Sequence, residues 1–182
     1  MHDGFRMLGK VHCIKLFKEF DGKPLIGDNL ERALHDGTAE KLWVRSNLIV
    51  DQGMEAIAAF FGNNQGAPVV GGSTFGALSD ITIGSMELGD TVGPATPVSG
   101  NTSSVGSLIY VPPITFSYAQ TSTTFSILVN GVLPITEAIG VTVTEEALKL
   151  VNGKVMAKCI FSELKTGSYG LQFSHEITFA RS

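Results

Sequence analysis

The amino-acid sequence predicts a mainly β protein: an antiparallel β-sandwich, jelly-roll-like, with one α-helix near residues 47–61. Three observations carry that expectation. Short stretches rich in β-branched and aromatic residues recur along the chain, several alternating apolar and polar positions with the period of two that a half-buried strand requires. Turn residues separate them, among them 21 glycines, and Asn-Gly pairs supply the positive φ that both central positions of a type I′ hairpin need. Only one long segment shows the 3.6-residue period of a helix. Five or six short antiparallel strands beside a single helix bury their apolar faces as two stacked sheets.

The first strand is expected over Lys10–Phe20, KVHCIKLFKEF, with Val11, Cys13, Lys15 and Phe17 on one side and His12, Ile14, Leu16 and Lys18 on the other. Asp21-Gly22 then makes a turn, and Pro24–Gly37 is polar enough to read as a loop. A second strand, Glu40–Val44, is expected to pair with the first. The helix should begin near Ser46 or Asn47, place Leu48, Val50, Met54, Ile57, Ala58 and Phe61 close to one face, and stop at Gly62. Gly53 interrupts it, and an interior glycine costs about 1 kcal/mol against alanine. Either the helix starts after Asp51, or the glycine permits close packing on a sheet.

Asn63–Ser79 reads as a long surface loop, and loops of that length are usually functional or held by a partner. DITIGS is a short buried strand, followed by the Gly- and Pro-punctuated LGDTVGPATPVSG. Pro112-Pro113 confines Leu108–Tyr118 to an edge or splits it in two. Thr123–Val129 is a strand closed by Asn130-Gly131, and Glu145–Leu150 is the one later stretch with a helical reading. Val151 leads through Asn152-Gly153 into KVMAKCIF. In the last strand Leu171, Phe173, His175, Ile177 and Phe179 alternate with Gln172, Ser174, Glu176 and Thr178, which implies one buried face and one wet or partner-facing face. Residues 1–39 are read as an N-terminal strand or arm region that a neighbour's sheet edge can accept, and residues 40–182 as the sandwich domain.

The 182 residues suffice for one domain with a real core. Hydrophobic residues make up 43% and charged residues 16%, the latter well below the usual share of about a quarter. Wholesale disorder is excluded. Thirteen basic and seventeen acidic residues leave a net charge of −4, with no Lys/Arg run to track a phosphate backbone, so nucleic acid is not an expected partner. With so few charges to keep copies apart, contact surfaces covered by neighbouring subunits are expected. Lys10, His12, Lys15 and Lys18 interrupt any apolar signal core, so no secretory leader is expected. No apolar run approaches the roughly 20 residues needed to cross a bilayer, so no membrane partner is expected. Cys13 and Cys159 are expected to be free, buried thiols.

Enzyme chemistry finds no constellation. The chain lacks a GxxxxGK[ST] phosphate loop, an HExxH helix, paired CxxC motifs and a GxSxG elbow. His12 and Cys13 are strand neighbours and should point to opposite faces, which argues against a shared metal. His175 lies in the apolar phase of its strand and reads as a hydrogen-bonded core residue, with Glu176 pointing away. Glu137, Glu145 and Glu146 are the carboxylates for a glycosidase-type pair, but Trp43 and three tyrosines are thin material for a sugar cleft, and Trp43 is expected to pack on the helix. Asn101-Thr102-Ser103 matches a glycosylation acceptor by chance. No catalytic residue, cofactor or metal is therefore assigned.

The order of segments adds a resemblance. A strand pair is followed by NLIVDQGMEAIAAFF, ITIGSMELGDT, ITEAIGVTV, GKVMAKCIF and a closing LQFSHEITF. Ile83-Gly84 with Leu88-Gly89-Asp90-Thr91 stand for one block, Glu137-Ala138-Ile139-Gly140 for a second, and Val155-Met156-Ala157-Lys158 for a third. Over residues 40–182 this resembles the small β domain of tailed-bacteriophage tail-fibre, baseplate and head-attached or decoration proteins. It departs in a spaced E-A-I-G turn and in Lys158, where arginine is commoner. The resemblance implies a non-enzymatic virion structural protein, assembled in the host cytoplasm as a homo-oligomer. Its partners would be other copies of itself and other virion proteins of the capsid, neck or tail, as a decoration protein, head-fibre base or baseplate component. The alternative is a receptor- or carbohydrate-binding module of the particle using loops 63–79 and 91–107. A third reading is a depolymerase using Glu137.

Overall fold

The computed structural model describes residues 5–18, 20, 23–61, 69–70, 73–74, 82–92 and 104–181. Their elements run β1 (Phe5–Leu16), α1 (Asp28–His35), β2 (Ala39–Ser46), β3 (Leu48–Ile49), α2 (Asp51–Phe61), β4 (Val69–Val70), β5 (Ser73–Thr74), β6 (Ile83–Gly89), β7 (Leu108–Tyr110), β8 (Ile114–Gln120), β9 (Thr124–Leu133), β10 (Thr142–Leu150), β11 (Val155–Leu164) and β12 (Gly170–Arg181). The protein is mainly β, with two five-stranded antiparallel sheets consistent with the expected β-sandwich class. Each sheet belongs to its own unit: residues 1–46, 112–142 and 164–182 form one, and 47–111 with 143–163 the other.

In the first unit the strand order is β2-β1-β12-β9-β8. β1 is an interior strand, paired with β12 from Phe5↔Arg181 to Leu16↔Gly170 and with β2 across a bulge at Cys13/Ile14. Period-two alternation sends Val11, Cys13, Val129, Phe173, His175 and Ile177 to one buried face. On the opposite face Ile14, Leu16, Leu25, Ala33, Ala39 and Val132 form a cluster with Leu30 and Leu34.

That cluster explains a correction: Pro24–Gly37 is not all loop, because residues 28–35 form α1. Leu30, Ala33 and Leu34 share one helical face. Asp28 and Glu31 sit in the first turn and Arg32 and His35 in the last, matching the helix dipole at both ends. Gly37, at φ +74°, takes the left-handed position just beyond the helix.

In the second unit the order is β3-β11-β10-β6-β7. The expected long helix loses its first turn to β3, which pairs Leu48 with Lys158 and Ile49 with Ala157. The Val50 N–H continues this attachment to the Met156 carbonyl at 3.0 Å, and the Val50 carbonyl then accepts from Gly53 and Met54 to start α2. Of the two readings of Gly53 the close-packing one holds: the helix starts at Asp51 rather than after it, so Gly53 lies in its first turn, and a Cβ there would collide with the Met156 carbonyl oxygen.

Pro112-Pro113 splits its segment as expected, ending β7 at one sheet's edge and preceding β8 at the other's. Asn152-Gly153 joins β10 and β11 as the expected hairpin, but only Gly153 takes a positive φ, +84°, so the turn is not type I′. Asn130-Gly131 does not turn. Both residues continue β9, because Gly131 pairs with Ile114 and Phe173 on either side. The buried Asn130 amide is also satisfied there, donating to Ser117 Oγ at 3.1 Å. Glu145–Leu150 is strand, paired with β6, rather than helix. Cys13 and Cys159 are both buried, and neither is in a disulfide. The expected Asp21-Gly22 turn, the Gly62 stop, the Asn101–Ser103 tripeptide and most of loops 63–79 and 91–107 lie outside the described residues.

Candidate functional site

The period of a strand decides which of the singled-out side chains meet. On β1 it buries Cys13 and leaves His12 half-buried on the opposite, more polar face, where His12 Nε2 lies 2.9 Å from Glu176 Oε2. The chain of contacts continues across the sheet. Thr178 Oγ1 donates to Glu176 Oε1 at 3.0 Å, and Ser126 Oγ lies 2.7 Å from Thr178 Oγ1. Partial burial pushes the Glu176 carboxyl up, but hydrogen bonds from His12, Ser126 and Thr178 outweigh it and hold it below the usual carboxylate range. His175, one residue earlier, is fully buried on the other face. Trp43 packs on Phe173 of β12, with centroids 6.4 Å apart, and the Arg45 guanidinium lies over its ring.

The candidate carboxylates are occupied in other ways. Glu145 Oε2 lies 2.8 Å from Lys158 Nζ and Oε1 accepts from the Gly106 N–H at 2.7 Å. Burial pushes the pKa of this carboxyl up, yet its hydrogen bonds from Lys158 and the Gly106 N–H hold it below its ordinary value. Lys158 also donates to the Ser104 carbonyl at 2.7 Å, and Ser104 Oγ bonds to Glu87, which pairs with Lys149 at 2.9 Å. This network fastens residues 104–106 to the second sheet. Glu146 is buried too, but as Glu145's neighbour on a strand it points to the opposite face. Glu137 lies near Lys165, whose buried ammonium donates to the Ile135 and Thr166 carbonyls at 2.8 and 2.7 Å. Burial pushes the Lys165 amine below its usual value, against the pull of Glu137. These are the contacts of charges that hold loops in place. Among the described residues no three His, Cys, Asp or Glu side chains gather as a metal-binding group, and no helix is long and apolar enough to cross a membrane.

A different feature emerges from the sheet edges. An edge strand presents unpaired backbone N–H and C=O groups, and proteins commonly guard it with charge, proline or shortness. β2, one edge of the first sheet, carries exposed Glu40, Lys41 and Arg45. The edges of the second sheet, β3 and β7, are two and three residues long. Among the described residues β8 has none of these guards. It is seven residues long, contains neither charge nor proline, and lies at the end of its sheet.

It also exposes aromatic surface. Tyr118 is 66% exposed, Phe116 41% and the neighbouring Phe125 40%, and the Tyr118 and Phe125 rings stack with centroids 6.1 Å apart. The signal in the sequence is the absence of any Asp, Glu, Lys, Arg or His from Thr91 to Thr136. Reading for catalytic side chains passes over such a stretch, because what marks it is missing charge. No family model, curated protein or solved structure matches this chain.

Proposed function

We propose that the protein is a non-enzymatic structural component that assembles with copies of itself, and that its assembly is a tailed-phage virion, on the capsid, neck or tail. The single observation that supports the reading most is the unguarded, aromatic, uncharged edge β8. A chain that worked alone in solution would gain from a charge there, since the edge otherwise invites uncontrolled pairing. The order of segments over residues 40–182, which resembles small β domains of tail-fibre, baseplate and decoration proteins, supports the virion setting. The charged groups favour it as well. Glu145, Lys158, Glu87 and Lys149 tie a loop to a sheet in a pattern that stiffens a scaffold.

The test is the mass of the full-length protein by light scattering across a concentration series, followed by sedimentation with purified phage particles. A defined oligomer that co-sediments with particles is expected. A chain that stays monomeric at the highest concentration and never co-sediments would refute the reading. Its β1 is interior to the first sheet, so any exchange of the N-terminal region between copies must replace ladders that the chain already makes with itself.

A further inference from the structure

The edge itself says which partner it fits. Resting on the assembly reading above, we propose that β8 pairs antiparallel with β8 of a second copy across a two-fold axis at Ser117, joining the first sheets of the two copies edge to edge.

The argument starts from backbone hydrogen bonding. β8 uses one side of its backbone on β9, from Ile114↔Gly131 to Gln120↔Phe125, and its other side lies at the end of the sheet. A seven-residue strand satisfies all its outward groups only when the incoming strand overlaps it completely. For two identical antiparallel strands, complete overlap has one solution, with the central residue Ser117 on the axis. A closed two-fold contact of this kind is self-complementary and ends in a dimer, whereas an offset contact leaves edges that go on pairing.

Side chains agree with that register. It sets Phe116 opposite Tyr118 twice, Thr115 opposite Ala119 twice, and Ile114 opposite Gln120 twice. Cross-strand aromatic pairs are among the favourable ones, and like charges opposite each other are unfavourable. Here no charge is present on either side, so a copy of this chain meets no repulsion. Phe116 and Tyr118, which expose apolar surface in the single chain, gain aromatic partners across the axis. A second copy also brings the same uncharged strands β8 and β9, against which a partner with an ordinary charged surface would have to desolvate its charges.

The test places one charge on the axis. In Ser117→Lys or Ser117→Glu, two like charges face each other, and copy–copy affinity should fall by about tenfold or more. A one-to-one mixture of the two variants should recover it, because Lys then faces Glu. Ser117→Ala removes the Asn130 hydrogen bond without adding charge and should keep the wild-type mass, which controls for damage to the fold. If wild type and both charged variants form the same oligomer, self-pairing through β8 is wrong while the assembly reading stands. If the charged variants keep their copy–copy mass but lose particle binding, the edge takes a strand of another virion protein and self-pairing is equally wrong. A wild-type chain that is monomeric throughout overturns both.

Discussion

Gln172 holds Leu25 by both of its backbone groups: the Leu25 N–H donates to Oε1 at 2.6 Å, and Nε2 donates to the Leu25 carbonyl at 2.8 Å. The side chain, fully buried in β12, acts as a one-residue strand for a segment 147 positions away. Through it the approach to α1 is fixed over the core cluster of Ile14, Leu16 and Val132. Replacement by leucine would preserve volume but strand two buried backbone groups, each costing about 1–3 kcal/mol. Gln172→Leu is therefore expected to lose about 2–3 kcal/mol in urea denaturation, with α1 amides exchanging faster than those of β9 and β12. An unchanged midpoint would show that water satisfies Leu25 instead.

Gly53 offers a prediction whose sign runs against helix propensity. Alanine in a helix interior is better than glycine by about 1 kcal/mol, yet the added Cβ meets the Met156 carbonyl, backbone that cannot swing aside. Gly53→Ala should destabilise by about 1–3 kcal/mol, the usual cost of overpacking. A gain in melting temperature would mean that α2 does not lie against β11 as described.

The Lys158–Glu145 pair is nearly fully buried. Removing one partner of such a pair costs about 3–5 kcal/mol, since a charge remains without compensation. Lys158→Met should therefore be markedly destabilising, and adding Glu145→Gln should recover part of the loss. Additivity of the two substitutions in denaturation would rule out the coupling.

Acid and alkaline limbs of the stability profile should have separate owners. Glu145 and Glu176 are held below their ordinary value of 4.5, so as pH falls the unfolded chain binds protons first. Their contribution is complete above pH 4.5 and is lost as pH falls through the folded values. Glu176→Gln should flatten this acid limb. Lys165 behaves oppositely, its amine being held below 10.5 by burial. Between its folded value and 10.5 the unfolded chain binds more protons, so stability rises with pH there, and Lys165→Met should flatten that rise. Midpoints of urea denaturation measured from pH 3 to 11 decide both.

Much of the fold was legible because strand and turn signals are local. Alternation in LQFSHEITFA marked β12, Asn152-Gly153 marked a hairpin, and Pro112-Pro113 marked a break that proved to send β7 and β8 to different sheets. Local signals failed where a distant partner decided. Asn130-Gly131 has the same turn chemistry as Asn152-Gly153, but Ile114 and Phe173 flank Gly131 and keep it extended. The polar run containing α1 looked like a loop because only Leu30, Ala33 and Leu34 need burial, and the surface that buries them is built from β1 and β9.

The sequence by itself determined the class of the protein, mainly β with few charges, since composition and period are properties of the chain alone. Only the tertiary structure decided the site. That Glu145 serves Lys158, that His12 reaches Glu176 across 164 residues, and that the uncharged β8 ends its sheet among the described residues all depend on strand order. Strand order is set by which long-range pairings bury the most apolar surface, and no local stretch of sequence contains that comparison.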